Sequence, residues 1–322
     1  MLTAVCARIS RDDPVSGLEV CDIPEPEPRD GWEVVEVRAA ALNHHDVWSL
    51  RGVGVTEDDL PVVLGTDAAG VTADGREVVV HAVLGSAGPG EDETLAADFH
   101  LFSERGVQGT LAQRVAVPSR NLVPKPASLS FAEAACLPTA YLTAYRMLFT
   151  RAGLRPGQSV LVQGAGGGVA TAAILLGVAA GLSVYVTSRS EEKRARAVEL
   201  GAVAAVETGG RLPVRVDAVL ETVGRATWDH SLKSLRPGGT IVVAGATSGP
   251  DPSADLARMF WRQLSVLGSS MGTLVELHRL CAFLEQTGIR PLVDSEHALA
   301  DAHTAFTRLE AGAEFGKIVV VP

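Results

Sequence analysis

Cysteine is scarce in this sequence, and no two cysteines have the spacing of a metal-binding or disulfide pair. The 322 residues include four, without a Cys-X-X-Cys motif, at Cys6, Cys21, Cys136 and Cys281. Isolated cysteines are typical of reduced thiols in a cytosol and argue against a structural zinc site. The sequence therefore predicts a cytoplasmic protein.

Positive charge and long apolar runs are also lacking. The chain has 28 Lys and Arg against 38 Asp and Glu, a net charge of −10, which disfavours nucleic acid and anionic membranes as partners. The first residues lack the basic end and long apolar core of a secretory signal. The most apolar helical stretch, around 169–180, is too short to span a bilayer. We therefore expect binding to neither nucleic acid nor membrane.

A glycine cluster between two apolar strands is the most informative feature that is present. The predicted strand Ser159–Val162 leads into the cluster, and a helical stretch and the strand Ser183–Val186 follow it. Strand, glycine turn, helix and strand form the first βαβ unit of a dinucleotide-binding fold, although a purely structural glycine turn is an alternative. Such a turn lets backbone N–H groups approach a pyrophosphate without an intervening side chain. The predicted phosphate-binding residues are Gly164, Gly166, Gly167, Gly168 and Val169.

The end of the second strand favours NADPH over NADH. An NAD-binding unit usually carries Asp or Glu about 20 residues past the glycines, where it holds the ribose 2′-hydroxyl. This sequence has Thr187–Ser190, which includes Ser188 and Arg189, and Lys193 follows one helical turn later. Hydroxyls and a guanidinium suit a 2′-phosphate. The alternative is that Arg189 and Lys193 are solvated charges at the start of a helix.

The pattern changes near 123–126, from short β-strands to alternating helices and strands. Before this point, Asp74-Gly75 is a hairpin signature between two apolar runs. After it, residues at the carboxyl ends of the fourth, fifth and sixth predicted strands lie where parallel sheets bind ligands. These residues are Gly224, Gly245, Ala246, Gly268 and Ser269.

The connection between the third and fourth predicted strands is unusually short. It comprises residues 207–215, whose two glycines and one proline cannot sustain a helix. A parallel connection normally needs a dozen or more residues, most of them helical. The sequence therefore predicts an irregular loop and a thinly covered sheet edge, which another element or a neighbouring subunit would shield.

Five segments recur in the same order in one enzyme superfamily: Ala41–Asp46, Leu64–Gly70, Gln108–Ala112, Leu142–Ala144 and the glycine unit. Over nearly its whole length the sequence resembles the medium-chain dehydrogenase/reductase superfamily, in its zinc-free, quinone-oxidoreductase-like branch. The resemblance implies an α/β protein with a Rossmann-type doubly wound parallel sheet at 126–270. It implies a GroES-like, β-rich catalytic domain at 1–125 and 271–322, a cofactor cleft between the two domains, and a homodimer.

The resemblance also implies that no metal is bound. Zinc alcohol dehydrogenases of the superfamily use Cys, His and Cys at places where this sequence has Asn43, Thr66 and Thr139. An amide and two hydroxyls cannot replace the thiolates and imidazole that Zn²⁺ prefers. The loop 85–109, which would hold a second, structural zinc, contains no cysteine. A different metal site that uses His44, His45 and Cys136 is disfavoured, because adjacent histidines point in different directions.

The resemblance assigns roles to further residues. Asn43 and Asp46 match positions beside the nicotinamide, although they could also cap the helix 46–51. Thr143 matches a residue that packs on the nicotinamide, unless it bonds back into its own helix. Residues expected to line the catalytic site are Asn43, Asp46, Trp48, Arg51 and Thr66, and Lys317 is expected to bind the cofactor. The proton donor stays open among His44, His45 and a bound water.

Without a Lewis acid, oxidation of a simple alcohol is poorly supported. Transfer of a hydride from NADPH to an electron-poor quinone or α,β-unsaturated carbonyl needs mainly positioning and hydrogen bonds. We therefore expect a reductase of a small electrophilic substrate. The alternatives are an alcohol dehydrogenase of the same superfamily and a non-catalytic nucleotide-binding relative.

Overall fold

The computed structural model describes residues 1–27, 29–88 and 91–322. Its strands are β1 (Leu2–Cys6), β2 (Leu18–Asp22), β3 (Trp32–Ala41), β4 (Val62–Val63), β5 (Asp67–Thr72), β6 (Glu77–Val80), β7 (Val83–Leu84), β8 (His100–Leu101), β9 (Arg114–Pro118), β10 (Leu122–Pro124), β11 (Ser159–Val162), β12 (Ser183–Thr187), β13 (Ala204–Val206), β14 (Val216–Glu221), β15 (Leu235–Val243), β16 (Ser265–Gly268), β17 (Val293–Ala298) and β18 (Lys317–Val321).

The α-helices are α1 (His44–Leu50), α2 (Phe131–Ala135), α3 (Leu142–Tyr145), α4 (Gly168–Ala179), α5 (Glu191–Glu199), α6 (Trp228–Ser234), α7 (Leu256–Arg262), α8 (Leu274–Thr287) and α9 (Ala302–Glu310). Short 3₁₀ turns lie at Pro14–Gly17, Glu57–Asp59, Glu93–Leu95, Ser119–Asn121 and Leu299–Asp301, and π-helical turns at Leu137–Tyr141 and Arg146–Arg151. No helix among the described residues is both long enough and apolar enough to cross a membrane.

The chain divides into two units, Met1–Leu142 with Gly272–Pro322, and Thr143–Met271. The sequence placed the first boundary at 125/126, but the first unit extends to Leu142. Two contacts explain the difference: α2 packs against β3 and β5, and the Leu292 N–H donates to the Tyr141 hydroxyl at 2.8 Å.

The first unit contains a seven-stranded sheet in which β10, β6, β5, β3, β18 and β17 are successive neighbours and β9 also pairs with β3. The hairpin predicted at Asp74-Gly75 joins β5 and β6, which pair antiparallel. Strand β18 comes from the far end of the chain and pairs antiparallel with β3. Ala41 lies opposite both Val319 and Asp67, so the ends of three strands meet at one place.

The second unit is built on a six-stranded parallel sheet of order β13-β12-β11-β14-β15-β16. The order runs outward in both directions from β11, which is the arrangement of dinucleotide-binding sheets. The glycine turn lies between β11 and α4, at the point where the order reverses. The predicted α/β fold with a Rossmann-type sheet is therefore confirmed.

The connection from β13 to β14 has no helical turn, as predicted. The expected thin covering is only partly correct, because Leu212 of this loop is buried and packs in a cluster with Leu161 and Tyr185 of the sheet. His230 of α6 also holds the loop, since its Nε2 lies 2.9 Å from the Gly210 carbonyl oxygen. Leu212 thus covers part of the sheet face that a crossover helix would otherwise cover.

Candidate active site

The glycine turn after β11 has the conformation that an anion-binding loop requires. Gly164 and Gly166 have φ values of +76° and +125°, which favour glycine. A Cβ placed on Gly166 would lie 2.8 Å from Nζ of Lys193, so the absence of a side chain lets this amine lie against the turn. Gly167 precedes α4, which begins at Gly168 with Val169 next in its first turn. The first N–H groups of α4 and the Lys193 amine therefore suit a phosphate group.

The end of β12 carries hydroxyls and cations and no carboxylate. Thr187 is buried, and its hydroxyl accepts a hydrogen bond from the Gly164 N–H at 3.3 Å. Ser188 is also buried, and its hydroxyl accepts from the Ser190 N–H at 3.2 Å. Arg189 is exposed in the turn before α5, and Lys193 lies on the first turns of that helix. The carboxyl end of β12 thus offers hydroxyl and cationic groups of the kind that bind phosphate.

The turns after β14 and β15 approach each other closely. Gly224 has a φ of +89°. A Cβ there would lie 2.6 Å from the Gly249 carbonyl oxygen and 3.0 Å from the Ala246 Cα. A Cβ on Gly245 would lie 3.0 Å from the Thr222 carbonyl oxygen. Gly224, Gly245 and Ala246 therefore lie together, as predicted from strand ends.

Glu221, at the end of β14, is a site residue that the sequence reasoning missed. Its side chain is fully buried, and one oxygen accepts hydrogen bonds from the Val223 and Gly224 N–H groups at 2.9 and 3.0 Å. The Thr227 and Ser231 hydroxyls of the following segment donate to the same carboxylate at 2.8 and 2.6 Å. The sequence signal that could have identified Glu221 is a carboxylate at the end of a largely apolar strand. Glu221 fixes the turn that contains Gly224.

The remaining residues predicted for this unit are Gly268, Ser269 and Thr143. Gly268 is exposed at the end of β16, and the Ser269 N–H donates to the Val243 carbonyl at 2.8 Å. Thr143 is buried in α3, with 6% of its surface exposed.

In the first unit, Asn43 is the centre of a buried polar network. Its Nδ2 group donates to Asp67 Oδ2 at 2.9 Å and to Thr66 Oγ1 at 3.1 Å. Its Oδ1 accepts from Lys317 Nζ at 2.6 Å. The Lys317 side chain is 3% exposed, so its ammonium lies inside the network. Sequence reasoning assigned Lys317 to the cofactor, and the structure places it beside Asn43.

Thr66 and Thr139 complete this network, which hereafter is called the Asp67 network: Asn43, Thr66, Asp67, Thr139 and Lys317. Thr139 Oγ1 donates to Asp67 Oδ1 at 2.6 Å, and the two threonine hydroxyls lie 3.1 Å apart. Burial raises the pKa of Asp67, while the Lys317 charge and the hydrogen bonds from Asn43 and Thr139 oppose this shift. The three residues that stand in place of zinc ligands therefore converge.

Those residues do not fit zinc. They offer an amide and two hydroxyls, whereas Zn²⁺ in proteins is held mainly by thiolates, imidazoles and carboxylates. The one carboxylate present, Asp67, already accepts hydrogen bonds on both oxygens and faces an ammonium. No cluster of three or more His, Cys, Asp or Glu side chains suited to a metal occurs within the described ranges.

Helix α1 and its C-cap residue Arg51 hold the other predicted catalytic residues. Asp46 is fully buried, and its Oδ2 accepts from the Asn43 N–H at 2.8 Å, so its capping role is confirmed. Trp48 is half-buried. Arg51 points elsewhere, because its guanidinium pairs with Glu310 of α9 at 3.2 Å. The structure therefore brings Asp46 to the Asp67 network through Asn43 and leaves Arg51 in a surface ion pair.

The two adjacent histidines have opposite electrostatics. His45 Nε2 lies 2.9 Å from Glu104 Oε1, and its Nδ1 lies 3.9 Å from Asp46 Oδ1. Burial lowers the pKa of His45, but the nearby carboxylates of Asp46 and Glu104, the latter within hydrogen-bond distance, outweigh burial and raise it to about 9. Desolvation, then the positive charge of Lys317, lowers the pKa of His44, although its residue is exposed. At neutral pH His45 is thus a cation and His44 is neutral.

A glycine phosphate turn in a Rossmann-type sheet and a separate β-rich unit define a nucleotide-dependent oxidoreductase. Matches to known protein families support this class of protein. Residues 29–127 match the alcohol dehydrogenase GroES-like domain and residues 168–286 match the zinc-binding dehydrogenase family.

Several similar proteins are named as reductases or dehydrogenases. The 2-methylene-furan-3-one reductase of Solanum lycopersicum is 31% identical, over 94% of this chain and 74% of that protein. A crystal structure of an NAD-dependent alcohol dehydrogenase superposes with a TM-score of 0.92 at 36% identity and covers 100% of both chains. A variant of the crotonyl-CoA carboxylase/reductase AntE, solved in complex with NADP, has a TM-score of 0.87 at 26% identity, covering 100% of this chain and 94% of that one. The chain belongs to the medium-chain dehydrogenase/reductase superfamily.

Proposed function

We propose that the protein is an NADPH-dependent reductase that transfers a hydride to a quinone or an α,β-unsaturated carbonyl compound without zinc. The observation that carries this proposal is the Asp67 network. It joins a buried ammonium to Asn43, Thr66 and Thr139, the three residues that the resemblance matches to zinc ligands. A reaction that needs a Lewis acid to stabilise an alkoxide is therefore disfavoured.

The choice of NADPH is supported by the end of β12. NAD-binding sheets usually place Asp or Glu there, and this chain has Ser188, Arg189 and the nearby Lys193 amine. The glycine turn and the first turn of α4 would hold the pyrophosphate, while Glu221 keeps the turn at Gly224 in place. When bound, the reduced nicotinamide supplies the hydride. The NAD-dependent alcohol dehydrogenase with 36% identity argues for the opposite cofactor, so the preference needs a direct measurement.

The substrate class is supported by the names of two relatives. A methylene group conjugated to a ring ketone, as in the substrate of the Solanum relative, is an α,β-unsaturated carbonyl. The crotonyl group that names the AntE enzyme is an unsaturated thioester of the same electronic type. Both accept a hydride at carbon and develop negative charge on oxygen, which hydrogen bonds stabilise.

The proton for such a reaction would come from water, or from His44 in the fraction of molecules in which that imidazole is protonated. His45 is disfavoured as a direct donor, because its Nε2 lies 2.9 Å from Glu104 and its Nδ1 is buried 3.9 Å from Asp46. Asn43 is disfavoured as well, since both its amide oxygen and its amide nitrogen are engaged in the Asp67 network.

The test is the steady-state oxidation of NADPH and NADH with a panel of quinones, enones and aldehydes, alongside NADP⁺ reduction with alcohols. We expect turnover with NADPH and at least one quinone or enone, with a lower kcat/KM for NADH. Alcohol oxidation together with stoichiometric zinc would instead identify an alcohol dehydrogenase. Absence of turnover with every acceptor, despite tight NADPH binding, would identify a non-catalytic relative.

We further propose a homodimer formed through β16 and α7. Strand β16 is the edge of the six-stranded sheet, and Val266 on it is exposed. Leu256, Phe260 and Trp261 of α7 are all more than 60% exposed. An open edge next to a large apolar surface suits pairing with a second copy.

Light scattering should give twice the mass of the chain, and Trp261→Arg should shift the measured mass towards that of the monomer. A monomeric wild type would contradict this proposal.

A further inference from the structure

The position of Lys317 follows from strand register. Ala41 of β3 pairs with Val319 of β18 in an antiparallel ladder. Two residues beyond Ala41 and two before Val319 therefore lie across from each other, and these are Asn43 and Lys317. The fold thus places the Lys317 side chain beside Asn43 by its backbone pairing.

The surroundings of the Lys317 ammonium match its hydrogen-bonding capacity. An ammonium has three donors and no acceptor. Nζ lies 2.5 Å from the Leu42 carbonyl oxygen, 2.6 Å from Asn43 Oδ1 and 3.4 Å from Asp67 Oδ2. All three partners are oxygens, and one carries a negative charge. This is the environment that a small cation requires.

The ammonium also decides the orientation of Asn43. Only the amide oxygen can accept from a lysine, so Nδ2 must face Asp67 and Thr66. Without Lys317, the Leu42 carbonyl oxygen and Asn43 Oδ1 would lose this donor, and Asp67 would lose its positive neighbour. Buried acceptors without a partner are strongly unfavourable.

We propose that Lys317 is a built-in cation of the Asp67 network, whose ammonium fills a buried site formed by the oxygens of Leu42, Asn43 and Asp67. It is a positioning residue that keeps Asn43 and Asp67 in one arrangement. Removing its side chain should convert the pocket into a binding site for a small free ammonium or alkylammonium ion. The proposal rests on the geometry of the first unit and does not depend on the substrate class.

The experiment compares wild type, Lys317→Ala and Lys317→Met by thermal unfolding in ammonium, methylammonium or tetramethylammonium chloride at equal ionic strength. Lys317→Ala should lower Tm by about 5–10 °C, as expected for loss of one partner of a buried ion pair. Ammonium and methylammonium should restore part of this loss by binding the folded state, and tetramethylammonium, which has no N–H donor, should not. Lys317→Met should show no recovery, because its side chain fills the space.

Lys125→Ala is the matched control. Lys125 Nζ also contacts two carbonyl oxygens, of Pro126 and Leu129, and lies 3.1 Å from Glu77. The Glu77 side chain is 54% exposed, however, so solvent can solvate this carboxylate when the lysine is removed. We expect a smaller loss of Tm in Lys125→Ala and no recovery specific to ammonium.

Two results would overturn the proposal. One is that Lys317→Ala gains no more Tm from ammonium than Lys317→Met does. The other is stoichiometric metal bound by the wild type and lost on changing Thr66 or Thr139.

If Lys317→Ala does not fold, Lys317→Met and Asp67→Asn are combined, and the double variant should lose less Tm than the two single losses added together. Additive losses of Tm would refute the pairing of Lys317 with Asp67. Recovery of kcat by Lys317→Ala in ammonium would show that the arrangement of Asn43 matters for turnover.

Discussion

Replacement of Arg189 by alanine should weaken NADPH binding selectively. Arg189 follows β12 at the place where a 2′-phosphate is expected, and it is exposed. A hydrogen bond between charged groups is worth about 1.5–3 kcal/mol, and solvent screening favours the lower end of this range. A loss of about 1.4 kcal/mol corresponds to a tenfold higher Kd. Since NADH has no 2′-phosphate, its Kd should stay nearly unchanged.

The measurement is isothermal titration of both cofactors into wild type and Arg189→Ala. Arg236→Ala is a suitable control, because Arg236 pairs with Asp217 at the amino-terminal ends of β14 and β15 and should affect neither Kd. Ser188→Asp makes the converse test, since a carboxylate at this strand end should repel the 2′-phosphate and accept the ribose hydroxyl. Equal losses of NADPH and NADH affinity in Arg189→Ala would show that the 2′-phosphate binds elsewhere.

Three further predictions concern zinc, Glu221 and His45. Metal analysis of purified protein should find well under one zinc per chain, and chelators should leave turnover intact. Glu221→Gln should lower Tm and raise the Kd of both cofactors several-fold, whereas Glu285→Gln on the exposed face of α8 should do neither. The pKa of His45 is raised to about 9, so the protonated imidazole stabilises the folded protein. This stabilisation should be complete below about pH 6.5 and should disappear as the pH rises through 9. The Tm difference between wild type and His45→Asn should therefore shrink from pH 6.5 to 9.5, and a constant difference would contradict the assigned pKa.

Local patterns were sufficient to predict the nucleotide-binding unit. The glycine turn, the absence of a carboxylate after β12 and the loop 207–215 each depend on residues close together in sequence. The Asp67 network could be predicted only in part. Resemblance to the superfamily brought Asn43, Thr66 and Thr139 together, but Lys317 is 274 residues from Asn43, and only the register of β3 and β18 shows that they meet.

Two other features escaped prediction for physical reasons. Glu221 has the appearance of an ordinary polar residue at a strand end, and its importance comes from four donors that the following turn folds back onto it. Leu212 lies between a glycine pair and a proline, in a segment without periodicity, so its burial depends on the sheet beneath it.

The pairing of β18 with β3 has a consequence for synthesis of the protein on the ribosome. Asn43 and Asp67 emerge early, but Lys317 is made 274 residues after Asn43, which takes roughly 15–55 s at about 5–20 residues per second. During that interval the whole nucleotide-binding unit has been translated, while the buried Asp67 carboxylate still lacks its counter-charge. The first unit therefore stays incomplete on the ribosome until β18, its last strand, has emerged.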